Sequence, residues 1–127
     1  MSDRLAIERL LDELYSARMS GDLNAVCRTF SQDADFRIAG ASHANPIAIT
    51  AAGVDEIRSW LGLMIKAFQL KDQIVLSIII DGGKTAVHWR ATVHSRITGT
   101  TVPTELVDLI EVRDGRIASY VEFFAPR

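Results

Sequence analysis

Between Asp3 and Ser20, apolar residues recur at Ile7, Leu10, Leu11, Leu14 and Ala17, with Glu8, Arg9, Asp12 and Glu13 between them. That spacing marks one stripe of an α-helix with a solvated opposite face, about 27 Å long at 1.5 Å per residue. Gly21 ends the helix, and Asp22 is a suitable N-cap for a second, short helix reaching Phe30. Asp33 to Ala39 suits a short strand, while Gly40 to Ala52 reads as loop around Asn45-Pro46. A third helix is expected from Gly53, with Asp55 and Glu56 in its first turn and Ile57, Trp60, Leu61, Met64 and Phe68 at helical spacing.

The second half changes period. Ile74 to Ile80 is apolar and rich in β-branched residues, and Asp81-Gly82-Gly83-Lys84 reads as a tight hairpin turn. A strand follows from Thr85 to about Arg96, then a turn at Thr98-Gly99 and a strand to Val112. Arg113-Asp114-Gly115-Arg116 is a second hairpin turn, leading into a last strand from Ile117 to Phe124. The order α-α-β-α-β-β-β-β predicts an α+β fold with helices packed on one curved antiparallel sheet.

A chain of 127 residues with 48% hydrophobic and 24% charged residues fits one ordinary globular domain, residues 1–127, that needs no metal or disulfide staple. Its net charge of −2, with both signs interspersed, argues against nucleic acid or an anionic membrane as partner. The single cysteine, Cys27, excludes an intrachain disulfide and suits a reducing compartment. The start of the sequence carries no signal-peptide pattern, and the Ile74–Ile80 run is too short to span a bilayer. A cytoplasmic location is the expectation.

Several residues carry a resemblance. They are Leu14-Tyr15 followed by Ser20-Gly21-Asp22-Leu23, Phe30-Ser31-Gln32-Asp33-Ala34, Gly53 to Trp60, Asp108 to Val112, and Asp114-Gly115-Arg116-Ile117 with Glu122-Phe123-Phe124. In this order and spacing the chain resembles the nuclear transport factor two-like superfamily, in particular its SnoaL-like branch. The resemblance implies a conical α+β barrel, in which a strongly curved antiparallel sheet wraps the long N-terminal helix and leaves a deep, mostly apolar pocket. It implies no single reaction, since one fold hosts many. Against the steroid-isomerase pattern, the tyrosine position falls on Leu14, with Tyr15 one residue off, and the base position falls on Ile38. Only the oxyanion aspartic acid has a counterpart, at Asp108. Against the limonene-epoxide-hydrolase pattern, the final carboxylate matches Glu122, but the strand supplying the other two groups reads Trp89-Arg90-Ala91.

Asp108 and Glu122 are therefore the candidate catalytic pair, and the turn between their strands decides whether they share a face. A two-residue Asp114-Gly115 loop places Asp108 opposite Val121 and sends Glu122 to the other face. A three-residue loop, Arg113-Asp114-Gly115, places Asp108 opposite Tyr120 with Glu122 diagonally across on the same face, and the family register favours it. The pocket face then carries Leu106, Asp108, Ile110, Tyr120, Glu122 and Phe124. Trp89, Ala91 and Val93 join from the neighbouring strand, Phe36 and Ile38 from the first strand, and Leu14, Trp60 and Met64 from the helices. Two carboxyl groups against aromatic walls resist ionising together, so at least one is expected to titrate high.

His43 is a candidate contact from the Ala39–Asn45 loop. His88 and His94 alternate with Arg90, Thr92 and Arg96 away from the pocket face, without a third ligand at metal spacing, so no metal is expected. Tyr15 reads as packing and Cys27 as a buried inert thiol. No cofactor motif appears. The outer sheet face, with Val107, Leu109, Glu111, Val121 and Phe123 beside the basic strand, is expected to form a homodimer interface. The functional expectation is a pocket for a small apolar or aromatic molecule; the alternative is a cofactor-independent acid–base enzyme using Asp108, Glu122 or both.

Overall fold

The structure, a computed structural model, describes residues 4–39 and 49–126. Helix α1 spans Arg4–Ser20 and buries Ile7, Leu10, Leu11, Leu14, Tyr15 and Ala17. Helix α2 (Leu23–Arg28) starts where the Asp22 side chain accepts a hydrogen bond from the Ala25 amide at 3.1 Å. Strands β1 (Phe30–Ala39) and β2 (Ile49–Ala52) precede helix α3 (Val54–Ala67). Four long strands follow: β3 (Phe68–Asp81), β4 (Lys84–Ser95), β5 (Thr101–Arg113) and β6 (Arg116–Pro126). None of the described helices is long and apolar enough to cross a membrane.

The fold is α+β, with a long N-terminal helix against a curved six-stranded sheet in the order β2-β1-β6-β5-β4-β3. Several details depart from the sequence reading, beginning with the element bounds: Phe30 and Phe68, read as helical, start strands β1 and β3. The Gly40–Ala52 segment ends in strand β2, paired antiparallel with β1 through Asp35–Ile38; four residues are too few to show a period. The β1–β6 pair is parallel, with β6 lying between β1 and β5. The curved sheet is open, with β2 and β3 as its edges, as the expected cone allows.

The β5–β6 connection corrects the expected register. Arg113 pairs with Arg116, leaving a two-residue turn whose Asp114 and Gly115 both adopt positive φ, 53° and 75°. That is the backbone a type I′ hairpin demands. The register then shifts, because Glu111 pairs with Ser119 and Val112 with Ile117, leaving Ala118 as a bulge. The extra residue brings Glu122 directly opposite Asp108, on the same face, and Tyr120 opposite Ile110. One row therefore runs across the sheet as Val87, Asp108, Glu122 and Ile38.

Candidate functional site

Tyr15 and Arg18 stand three residues apart on α1, so both project from the side of the helix that faces the sheet. Below Tyr15 lies Asp108, with none of its surface exposed. Its Oδ2 accepts hydrogen bonds from the Tyr15 hydroxyl (2.6 Å), the Tyr120 hydroxyl (2.5 Å) and the Trp89 indole N–H (2.9 Å). The Tyr15 and Trp89 rings meet edge to face, with centroids 5.4 Å apart, and close the space above the carboxyl. Arg18 reaches Glu122 as a buried ion pair, donates to the Tyr120 hydroxyl at 2.8 Å, and stacks its guanidinium 5.5 Å from the Trp89 ring centre. Tyr120 also lies 3.3 Å from Glu122 and so joins the two carboxyl groups.

The electrostatics follow from these contacts. Burial, then the like charge of Glu122, pushes the Asp108 carboxyl well above the usual carboxylate range, against the pull of Arg18 and the two phenols. Burial would raise Glu122 too. The charge and hydrogen bond of Arg18, with hydrogen bonds from Asp108 and Tyr120, overcome it and hold Glu122 below its ordinary value. Burial also raises the Tyr15 and Tyr120 phenols, so both act as neutral donors.

A cavity of about 450 Å³ opens beside this cluster. Arg18 and Glu122 form its inner polar end. Its walls are largely apolar and include the sequence-predicted residues Ile38, Met64, Val93, Leu106 and Phe124. Asp108 does not line it, because Tyr15, Trp89 and Tyr120 cover the carboxyl; Asp108 lies behind Glu122 instead. Leu14, Phe36, Trp89, Ala91, Ile110 and Tyr120 share the inner face but are packed in the core beneath the cavity and do not line it. Trp60 is displaced from its expected position: it is 39% exposed and absent from the lining, because α3 turns Ile57 and Leu61 inward and leaves Trp60 beside that stripe. His43 lies outside the described residues.

Arg18 and the role of Tyr15 escaped the sequence reading. The signal was present, since Leu11, Leu14, Tyr15 and Arg18 follow the i, i+3, i+4, i+7 rhythm of a buried stripe. An arginine in that stripe must find a buried partner. Among the described residues, no group of three His, Cys, Asp or Glu side chains is placed to hold a metal. His88 instead meets Glu105 at 2.8 Å, and His94 meets Thr101 at 2.9 Å. Cys27 is buried, and burial raises its thiol.

The family model for the SnoaL-like domain matches residues 11–120. No curated protein matches the sequence. Among solved structures, a candidate isomerase from Bacillus subtilis superposes with a TM-score of 0.85 at 17% identity, over 98% of this chain and 90% of that one. A candidate polyketide cyclase from Xanthomonas campestris gives 0.77 at 20% identity, over 96% and 92%. An epoxide hydrolase from Mycobacterium tuberculosis resembling limonene epoxide hydrolase gives 0.76 at 16% identity, over 95% and 84%. At these identities the likeness is one of fold.

Proposed function

Because the chain belongs to the SnoaL-like domain family, we propose that it binds a small apolar or aromatic molecule in the cavity, with a polar group of that molecule directed at Arg18 and Glu122. The observation that carries this reading is the cavity itself: about 450 Å³, apolar along its walls, and ended by one buried ion pair. Small-molecule sites have this size and this ratio of greasy wall to placed polar groups. A thermal-shift screen of neutral aromatic ketones and phenols tests it. Binders should raise the melting temperature saturably, and Leu106→Trp should abolish the response by filling the cavity. A response unchanged in that variant would remove the cavity as the binding site.

A second reading, proton transfer on the bound molecule, is favoured by the Glu122–Tyr120–Asp108 chain of contacts. In it, Glu122 exchanges a proton with the ligand, and Asp108 is a positioning residue acting through the Tyr120 hydroxyl. Glu122→Gln should then keep ligand binding and lose turnover, and turnover surviving in that variant would leave the binding reading alone.

The homodimer is likewise a proposal. Leu109 and Phe123 are 45% and 43% exposed on the outer face, beside the basic Arg90 and the acidic Glu111. A two-fold pairing can set the basic strand of one copy against the acidic positions of the other. Light scattering of the protein and of a Leu109→Glu/Phe123→Glu variant tests this: the first should have twice the mass of the second.

A further inference from the structure

We infer that the ligand of this cavity is an amphipathic monoanion, a small aryl or alkyl carboxylate whose charged group sits at the mouth on Arg96 while its apolar body runs inward; the inference rests on the cavity being a binding site. Three charged side chains line the cavity: Arg18, Glu122 and Arg96. The first two neutralise one another as a buried pair. Arg96 has no ion-pair partner among the described residues, so the cavity carries one uncompensated positive charge.

The position of Arg96 is built rather than incidental. It opens the β4–β5 connection, where the Ser95 amide donates to the Thr100 carbonyl at 2.8 Å and the Gly99 amide to the Ser95 carbonyl at 2.9 Å. Its own amide donates to the Ala67 carbonyl at 2.8 Å, fastening this turn to the C-terminal end of α3. Gly99, at φ 77°, supplies the left-handed residue that the turn requires. The base of the side chain is therefore fixed against the cavity wall. Gln69, Ser95 and Thr100 line the same end, and Arg96, Thr100 and Phe68 are exposed there, so this is the solvent end of the cavity. Leu70, Val93, Val102 and Leu106 extend the apolar wall.

This arrangement sorts ligands by charge and by its placement. A carboxylate at the mouth keeps most of its hydration and gains a guanidinium partner. The same carboxylate at the inner end would meet Glu122 and be repelled. A cation at the mouth would face Arg96. A neutral molecule would gain the walls alone. The favoured ligand thus has one anionic end and one apolar end, with room for a hydroxyl or carbonyl at the Arg18–Glu122 pair.

Calorimetric titration with decanoate and 4-phenylbutanoate, each beside its methyl ester, tests the inference. The acids should bind about tenfold more tightly than the esters, a gap that shrinks as salt is raised. Arg96→Gln, an exposed substitution that leaves the fold intact, should remove that advantage and leave ester affinity unchanged. Met64→Trp, which narrows the cavity from α3, should weaken acids and esters alike. Equal affinity of acid and ester, or an acid preference that survives Arg96→Gln, overturns the monoanion inference while the cavity stands. Acid binding that is lost in Arg96→Gln but untouched by Met64→Trp places the anion on the surface and overturns it too. Failure of both acids and esters to bind removes the cavity reading itself.

Discussion

Under the middle of α1, Asp108 is held by two phenols and an indole; nearly one turn further along the same helix, Glu122 is held by a guanidinium. The two carboxyl groups are direct partners across β5 and β6, on one face and both buried, yet they titrate in opposite directions. Burial raises both. What separates them is contact: Arg18 pairs and hydrogen-bonds with Glu122 directly, whereas its charge reaches Asp108 without a hydrogen bond and neutral donors make the contacts there. The dipole-held region is sealed, and the ion-paired region faces the cavity. The buried charge borders the cavity, and the carboxyl with the raised pKa sits behind it.

Inserting one alanine between Ser119 and Tyr120 should produce the largest change, because it abolishes the contrast outright. With one extra residue beyond the bulge, β6 runs one residue out of step past Ser119 and carries Glu122 to the outer face, away from Arg18. Urea denaturation should show a loss exceeding the roughly 3–5 kcal/mol that breaking a buried ion pair costs. A variant as stable as the parent protein would mean that the strand absorbs the extra residue without a change of register.

Replacing Arg18 alone tests the ion-paired region. Arg18→Met leaves Glu122 buried without its cation and should cost about 3–5 kcal/mol at neutral pH. Adding Glu122→Leu should restore most of that stability, since two apolar groups of similar volume need no counter-charge. Equal losses in the single and double variants would show that Arg18 contributes packing rather than charge.

The smallest effect concerns pH. The folded value of Asp108 lies above the unfolded value of about 3.9. Its contribution to stability is therefore full below about pH 4 and is lost as pH rises through the folded value. Glu122 has the opposite sign: its contribution is present above about pH 4.3 and is lost as acid protonates it. Asp108→Asn keeps an oxygen for the three donors and cannot ionise. Its urea midpoint should gain on that of the parent protein as pH climbs from 4 to 8, and a difference independent of pH would show that Asp108 is not the proton-retaining partner.

The helices were legible because their apolar stripes repeat over several turns; the Asp22 cap and the Asp114-Gly115 turn were legible because each is local chemistry. Asp108 and Glu122 emerged as a pair on one face, but their register did not. Alanine at 118 has no conformational signature of its own, and the bulge exists only because two strands and a parallel neighbour must all fit. Strand β2 was hidden by its length. Arg18 was written in the α1 stripe but was passed over, since a charge on a helix is usually solvated. The sealing of Asp108 and the outward turn of Trp60 depend on how α1 and α3 seat on the sheet, which periodicity does not encode.

The placement of β6 between β1 and β5 also orders the assembly of the protein in time. During synthesis, β1 with β2 and β3 with β4 and β5 emerge as two separate ribbons, and the strand that joins them is made after both. Until the 11 residues of β6 arrive, Arg18 has no Glu122 and Asp108 lacks the Tyr120 hydroxyl. The half-made chain therefore holds unpaired charge and an open seam on each ribbon, the kind of exposed strand edge on which nascent proteins aggregate. One late strand closes the core and completes the contacts of both carboxyl groups in the same step, so unfinished chains lack the polar end of the cavity.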